Sequence, residues 1–234
     1  MRVQSFGRQA TLIAGLTVSV FGCSPGEPET AYASSSTTSS SEAQSSQSVA
    51  RVKGEALRLV LASSGNVARY RVREQLVGHD LPNDAVGETK SLTGALSIDS
   101  SGKVIRDVSK FTVDAATFVS DRDRRDGFVR GRLLEADTYP AITLVPTSIR
   151  GVNLPLPKSG SAAIEMTANL TVRDVTRPTT WKGTVQFANG SVTGSASTAF
   201  TFDDLLLEQP RVPVLLSVAD TIKLEIDFKL VSQP

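Results

Sequence analysis

The side chains of this sequence that could do chemistry are one histidine, one cysteine and several clustered carboxylates. A nucleophilic triad would need His79 to meet a serine, but the sequence contains no nucleophile elbow of the GxSxG type. His79 is followed by Asp80, Leu81 and Pro82, which is typical of a polar loop. We therefore predict that the histidine is not catalytic and that the protein is not an enzyme.

Three aspartates lie close together, at Asp121, Asp123 and Asp126. They would suit Ca²⁺ or Mg²⁺ rather than Zn²⁺, because the chain has one histidine and no second cysteine. Arginines interleave with them at positions 122, 124 and 125, which favours ion pairs on a solvated helix face. No metal and no cofactor are expected.

A hydrolase or isomerase that uses carboxylates inside a barrel is a further alternative. Such an enzyme would need paired acids on one inward strand face. Glu165 and Glu225 fall instead on the charged sides of their predicted strands.

Cys23 has the clearest chemical assignment. It follows Arg2, Arg8 and an apolar run over residues 10–21, which is the layout of a secretory signal. The residues around it, Val20-Phe21-Gly22-Cys23, look like a bacterial lipobox, in which the cysteine becomes the acylated first residue of a lipoprotein. The apolar run is shorter than the roughly 20 residues of a membrane span. An uncleaved anchor and a free thiol remain alternatives.

An acylated Cys23 would anchor the chain to the bacterial cell envelope, outside the cytoplasm. Residues 24–47 are polar, and residues 34–41 contain only serine and threonine, which predicts a disordered tether that spans about 25 to 30 Å. We expect a signal peptide over residues 1–22, a tether over 23–48 and one folded domain over 49–234. With one cysteine, that domain must be stabilised by a buried core.

Composition is compatible with such a core and excludes one class of partner. The chain has 234 residues, is 40% hydrophobic and carries 25 basic against 24 acidic side chains, a formal net charge of +1. This balance gives no electrostatic basis for binding nucleic acid.

Alternation of apolar and polar residues dominates the remaining sequence. Residues 222–230 (IKLEIDFKL) alternate between apolar and charged side chains without a break, which predicts a strand with one buried face and one solvent-exposed face. Similar strands are predicted over residues 57–61, 68–74, 92–98, 141–145, 164–172, 181–187 and 192–202, with turn signals at 64–66, 100–102, 159–160 and 189–190. Many antiparallel strands predict a sandwich or a closed barrel, between which periodicity does not choose.

Two local signals refine this pattern. Asn189-Gly190 favours a type I′ turn, which pairs residues 180–188 with residues 191–198. Residues 121–135 predict a short amphipathic helix, with Val129 and Leu133 four apart and aspartates in the first turn. Tyr139-Pro140 would end that helix.

Two ordered motifs carry a family resemblance. The first consists of residues 125–130 (RDGFVR), Leu134 and residues 139–144 (YPAITL); the second is residues 168–178 (ANLTVRDVTRP), a strand followed by a Thr-Arg-Pro turn. With the end of the chain, they resemble the YceI-like family over most of residues 68–230. Residues 68–74 lack the histidine-serine pair common in that family, and residues 76–90 form an extra segment.

The resemblance implies a mainly β fold: an antiparallel, lipocalin-like eight-stranded barrel with one short helix between strands. It also implies a long apolar cavity, which in some members holds a polyisoprenoid chain, and a homodimer as a common state. Eight strands leave an interior that side chains fill or that holds one small ligand.

The apolar sides of the strands supply the residues that we expect to contact a ligand, although each could also be ordinary core. These residues are Phe111, Phe128, Ile164, Met166, Ala168, Trp181, Val185, Phe187, Ile222, Leu224, Ile226 and Phe228. Ala168 and Gly183 are small, so they would leave room for a chain, and Met166 could adapt to it.

Two apolar clusters, residues 205–207 and 214–216, lie in a loop-like region before the last strand. They suit a lid over the barrel end, a dimer contact or a membrane-touching mouth. We hypothesise that they border the cavity opening, with Leu206 and Leu215 as ligand contacts. Arg173, Asp174 and Arg177 would either contact a polar headgroup at the rim or form an ion-paired turn, and the second is favoured.

The sequence therefore predicts a membrane-tethered extracytoplasmic protein that binds an isoprenoid or similar long-chain amphiphile for transport, storage or protection. Its partners would be that amphiphile and, through Cys23, the membrane. The alternative is a surface interaction or stress-protective module whose barrel is packed solid and binds no ligand.

Overall fold

The computed structural model describes residues 54–233, in which the alternating segments of the sequence form eleven strands, accompanied by one α-helix. The strands are β1 (Glu55–Leu61), β2 (Val67–Leu76), β3 (Asn83–Thr89), β4 (Leu92–Asp99), β5 (Lys110–Asp114), β6 (Val119–Ser120), β7 (Ala141–Arg150), β8 (Ser159–Val172), β9 (Val175–Ala188), β10 (Ser191–Thr201) and β11 (Leu215–Gln233). The helix α1 (Asp123–Phe128) lies between β6 and β7. Cys23, the predicted signal peptide and the predicted tether lie outside the described residues.

Eight of these strands close into a ring. Their order is β1-β4-β5-β7-β8-β9-β10-β11, and the end of β11 returns to pair with β1. β2, β3 and β6 extend the sheet from β11, and every pairing between strands is antiparallel. The predicted antiparallel, lipocalin-like eight-stranded barrel with one short helix is confirmed. The strand β3 lies within residues 76–90, the segment that is extra relative to the YceI-like pattern.

The strand β11 changes partners along one of its edges. Residues 215–227 pair with β2, whereas residues 230–233 pair with β1. Asn66 lies at this change: its amide nitrogen donates to the Ala62 carbonyl at 2.7 Å, and its Oδ1 accepts from the Lys229 N–H at 2.8 Å. Because β1 and β2 separate here, β1 closes the ring at one end, whereas at the other end the sheet continues from β11 into β2, β3 and β6; we call this second end the wider end.

Arginines on the outer face of β2 form ion pairs with acids of the two neighbouring strands. Arg69 contacts Asp227 of β11 at 2.5 Å and Glu88 of β3 at 3.1 Å. The arginines at positions 71 and 73 contact acids of the same two strands. Each exposed pair contributes little to stability, but a shift of one residue would turn this basic face inward.

The predicted Asn189-Gly190 hairpin is confirmed. Ala188 pairs directly with Ser191, and the two turn residues have φ values of +40° and +82°, as a type I′ turn requires. Two other predicted turns are wrong. Ser159 and Gly160 begin β8, and the Thr-Arg-Pro sequence lies inside β9, because the chain turns earlier, at Arg173-Asp174.

The predicted helix is shorter and less regular than residues 121–135. After α1, residues 129–133 form a π-helical segment, in which the Leu134 N–H donates to the Val129 carbonyl at 2.8 Å. Gly127 and Gly131 weaken helix propensity in this region. Within residues 54–233, every helix is too short or too polar to cross a membrane.

Buried side chains inside the sheet form two clusters. The closed-end cluster fills the barrel beside β1 and consists of Leu59, Leu96, Ile98, Val185, Phe187, Val192 and Leu230. A larger cluster includes Ala168, Leu170, Trp181 and Ile222 and continues to the residues that follow α1. One buried cluster thus lies beside β1, and the other adjoins the helical segment.

Gly183 lies where β9 approaches β10. A Cβ atom at this position would lie 2.8 Å from the Cα of Ala196, its partner across the strands. The expectation that Gly183 leaves room for a ligand chain is wrong, because the neighbouring backbone occupies that space.

We expect Gly183→Ala to lower the free energy of unfolding by about 1 to 3 kcal/mol, since the added methyl group forces β9 and β10 apart. Urea unfolding measures the change. Gly127→Ala in α1 is the control, because a Cβ atom added there meets no neighbouring atom within 4 Å. This variant should raise the free energy of unfolding by no more than about 1 kcal/mol. Equal destabilisation by both variants would contradict this account.

Candidate ligand-binding cavity

A cavity of about 750 Å³ lies inside the wider end of the barrel. Its wall is formed largely by aliphatic and aromatic side chains: Tyr70 and Val72 of β2, Phe111 and Val113 of β5, Ile142 and Leu144 of β7, Leu170 and Val172 of β8, Trp181 of β9, and Ile222, Leu224 and Ile226 of β11. No residue of the closed-end cluster lines it. The volume lies in the range of roughly 300 to 1,000 Å³ that is typical of small-molecule sites.

The structure brings half of the predicted ligand contacts together around this cavity. Lining residues among them are Phe111, Phe128, Trp181, Leu215, Ile222, Leu224 and Ile226. That these side chains contact a ligand stays a prediction. Their location shows that β5, β9, β11 and the helical segment face one space.

The other predicted contacts lie elsewhere. Val185 and Phe187 belong to the closed-end cluster, and Ile164 and Phe228 pack against it. Ala168 is fully buried in the larger cluster, Met166 packs against that cluster, and Leu206 is 61% exposed. These seven residues do not line the cavity. For the six on strands the reason is that alternation identifies the inward face of a strand but not the height along the barrel. Leu206 lies outside the strands and its side chain is exposed.

Several lining residues were missed by the sequence reasoning. On β8 the cavity is lined by Leu170 and Val172, which share the face of Ile164 but lie closer to the wider end. On β2 it is lined by Tyr70 and Val72, which alternate with the outer arginines. That alternation of basic and apolar residues was the signal that could have identified the face of β2.

The region before β11 covers part of the cavity. Leu205 and Leu207 are buried, with 1% and 6% exposure, and both line the wall. Leu206 lies between them with a left-handed φ of +52°, so its side chain is exposed. Leu215 and Leu216 belong to the start of β11 rather than to a loop.

A polar cluster connects α1 to β2 at the cavity wall. Arg125 donates to Glu74 at 2.6 Å and also contacts Asp121, while the Ser120 hydroxyl donates to Asp126 at 2.5 Å. Burial lowers the pKa of Arg125, but the hydrogen bond to Asp121 and the charge of Glu74 outweigh burial and raise it. The expectation of a solvated face is wrong for Asp126, which is 5% exposed.

Tyr70 lies beside this polar cluster. Its ring is 5.7 Å from the ring of Phe118, and it occupies the space that a side chain at Gly87 would need. Burial, together with the charges of Asp126 and Glu74, raises the pKa of Tyr70 from 10.0 to about 12. The phenol therefore stays neutral and can donate a hydrogen bond at the wall.

The remaining polar candidates hold turns or border the opening. Arg173 donates to Glu135 at 2.7 Å and to the Leu206 carbonyl at 2.9 Å, so it joins the β8–β9 turn to neighbouring loops. Arg177 donates to a backbone carbonyl and does not line the cavity. His79 is exposed and lies at the cavity border, in the loop between β2 and β3.

An antiparallel ring of eight strands around an apolar space is the architecture of lipocalin-like binding proteins. The YceI-like domain matches residues 63–230, and the chain belongs to this family. No curated protein matches the chain.

Two solved structures share the fold. A polyisoprenoid-binding domain from Saccharophagus degradans superposes with a TM-score of 0.59 at 15% identity, covering 75% of this chain and 98% of that domain. BcnA from Burkholderia cenocepacia superposes with a TM-score of 0.51 at 16% identity, covering 70% of this chain and 95% of that protein. At these identities the likeness establishes the fold alone.

We expect the phenol of Tyr70 to titrate near pH 12. The folded state holds this proton more tightly than the unfolded state, so a stabilisation of about 2 to 3 kcal/mol is present below pH ~10 and is lost as the pH rises through ~12. The ultraviolet phenolate absorbance of the wild type minus that of Tyr70→Phe isolates this group. A difference titration centred near pH 10 would show that Tyr70 is solvated.

Proposed function

We propose that the protein binds an isoprenoid or a similar long-chain amphiphile in the barrel cavity and serves in its transport, storage or protection. The observation that carries this proposal is the apolar space of about 750 Å³ at the wider end of the barrel. Most of the side chains on its wall are aliphatic or aromatic, so most of the wall suits a hydrocarbon chain. The polyisoprenoid-binding domain of Saccharophagus degradans supports the same ligand class.

The energetics suit a carrier. Burial of a chain is worth about 0.8 kcal/mol for each CH₂ group removed from water. A bilayer offers nearly the same gain, so the cavity competes with the membrane by modest margins and can return its ligand. Reversible exchange with a membrane is what a transport or storage protein needs.

A binding role is proposed in place of catalysis. Arg125 and Glu74 neutralise each other in the polar cluster, and Tyr70 remains protonated at ordinary pH. This arrangement supplies an oriented donor and a balanced ion pair, without an activated nucleophile or base at the wall.

The alternative is a surface interaction or stress-protective module with a solid barrel. The closed-end cluster fills its part of the barrel, as this alternative requires. A barrel filled throughout would have no cavity of about 750 Å³ at its other end. The apolar space therefore favours ligand binding.

We expect native mass spectrometry of the full-length protein, extracted gently from its own membranes, to detect one amphiphile for each chain. In a second measurement, a C20 isoprenoid alcohol should shift the emission of Trp181, which is the single tryptophan and lies on the cavity wall. Val113→Phe, which projects extra volume into the cavity, should weaken this binding at least about tenfold.

Val119→Phe is the matched control, because Val119 is 52% exposed and does not line the cavity. Urea unfolding verifies that both variants fold. Repeated recovery of empty protein, together with no response of Trp181 to the alcohol, would reject the proposal and favour the solid module.

We also propose that Cys23 is acylated and tethers the domain to the cell envelope outside the cytoplasm. Cys23→Ser should remove the acyl mass and move the protein from the membrane fraction to the soluble fraction, since two or more acyl chains provide firm anchoring. Fractionation and intact-mass measurement test this. A wild-type mass that exceeds that of the variant only by the difference between Cys and Ser would exclude lipidation.

A further inference from the structure

The connection between β10 and β11, residues 202–214, forms part of the cavity wall without belonging to the barrel sheet. It contains one turn of 3₁₀ helix, Asp203–Leu205, and is otherwise irregular. Seven of its residues line the cavity, with Leu205 and Leu207 among them. We call residues 202–214 the strap. Because the strap lies outside the sheet ladder, its position depends on other contacts.

Backbone hydrogen bonds tie the strap to the barrel near its two ends. The Phe202 N–H donates to the Asp220 carbonyl at 3.2 Å, and the Val77 N–H donates to the Val214 carbonyl at 3.0 Å. These bonds fix where the strap leaves β10 and where it enters β11. The stretch between them is free to move as one piece once its own contacts are broken.

Side chains of the barrel hold the middle of the strap through hydrogen bonds. The Val218 carbonyl of β11 accepts from the Gln209 side chain at 2.7 Å, and Arg173, in the turn between β8 and β9, donates to the Leu206 carbonyl at 2.9 Å. The bond from Arg173 reaches the strap directly between Leu205 and Leu207. It therefore controls the residues that cover the cavity.

The part of the strap that Arg173 contacts has an unfavourable backbone conformation. The Leu207 N–H donates to the Phe202 carbonyl at 2.9 Å and the Leu206 N–H donates to the Asp203 carbonyl at 3.1 Å, which is the Schellman pattern at the end of a helical turn. Leu206 occupies the left-handed position of this pattern, where glycine is usual. A leucine persists there only when neighbouring contacts hold it.

Arg173 joins the strap to a second residue of this kind. Its guanidinium donates to Glu135 at 2.7 Å, and Glu135 directly follows Leu134, which lines the cavity from the helical segment. Glu135 has a φ of +48°, and Arg173 itself has a φ of +54°. Within residues 54–233, three of the four non-glycine residues with positive φ thus meet at one side chain. Backbone strain gathered in this way is typical of parts that move.

We propose that the strap opens to admit and release the ligand, and that Arg173 is the latch that holds it closed. Loss of the bond to the Leu206 carbonyl would free Leu206 from its left-handed conformation, so that Leu205 and Leu207 can withdraw from the wall. This inference rests on the proposed function. Arg173 does not line the cavity, so it controls passage without contacting the ligand.

The closed strap is the favoured state. Leu205 and Leu207 are buried, and opening brings both of these apolar side chains into water. The open strap is therefore a minor population, whose abundance sets how fast a ligand exchanges. A latch formed by one arginine adjusts this abundance without changing the shape of the cavity.

Amide hydrogen exchange tests the latch without any ligand. The protein is the full chain carrying Cys23→Ser, so that no acyl group contributes. Arg173→Gln should lower the protection of the Leu206 and Leu207 amides at least about tenfold, because hydrogen bonds from a charged donor are lost. Leu206→Gly should raise the protection of the Leu207 amide, since glycine adopts the left-handed conformation without a steric cost.

Arg177→Gln is the matched control. Arg177 lies on β9 close to the same turn, and its charge acts on Asp204 of the strap, but its guanidinium donates to the Thr176 carbonyl rather than to the strap. This variant removes the same charge without breaking the latch. The protection of the strap amides should therefore remain unchanged.

Stopped-flow mixing with the C20 alcohol, followed through the emission of Trp181, tests the passage of a ligand. In Arg173→Gln the association and dissociation rate constants should both rise at least about threefold, whereas the dissociation constant should change by less than about twofold. A residue that only supports the cavity wall would instead weaken binding without faster association.

Unchanged protection of the strap amides in Arg173→Gln would overturn the inference, and so would an equal loss of protection in the β9–β10 hairpin. An unchanged association rate constant in a variant that binds the alcohol would also overturn it. A loss of protection confined to the strap supports Arg173 as the latch even where no protein binds the alcohol, a result that rejects the proposed function alone.

Discussion

The change of partner along β11 is the constraint on which the cavity depends. One strand must satisfy the backbone groups of β10 on one edge and those of β2 and then β1 on the other. Asn66 supplies hydrogen bonds where β11 leaves β2. Because β1 completes the ring at one end only, side chains meet and fill the barrel there, whereas the opposite end remains wide enough to hold a space.

The wider end is held by polar contacts around an apolar wall. α1 would have little to anchor it by apolar burial alone, since the helix has six residues. Arg125 ties it to Glu74 of β2, and removing Arg125 would leave the buried Glu74 carboxylate without its cation, at a cost of about 3 to 5 kcal/mol. This ion pair places Phe128 and Val129 on the wall while the remaining surface stays apolar.

The sequence predicts which side chains of a strand point into the barrel better than it predicts where along the barrel axis they lie. The alternation of residues 222–230 and the Asn189-Gly190 turn identify β11 and the β9–β10 hairpin, because each signal is local. Trp181 and Phe187 share one face of β9, yet the first lines the cavity and the second packs in the closed end. That difference depends on the position of β11 and its partners, which no single strand encodes.

Two further features escaped the sequence reasoning for physical reasons. β3 buries Ala85 and Thr89, with Gly87 between them, and these small or polar residues do not produce a strong apolar alternation. Gly87 is small because the Tyr70 ring occupies its side-chain space, a relation between two strands. Pairings of this kind become visible only when the register is known.

The packed end also gives the cavity a floor. Leu59, Val185 and Phe187 close the barrel below the space, so a linear molecule that enters from the opposite side can advance only to a fixed stop. Any length beyond that stop must remain outside. Under the proposed function, the distance from floor to opening would therefore set how many carbons of a bound chain are sheltered and how many protrude.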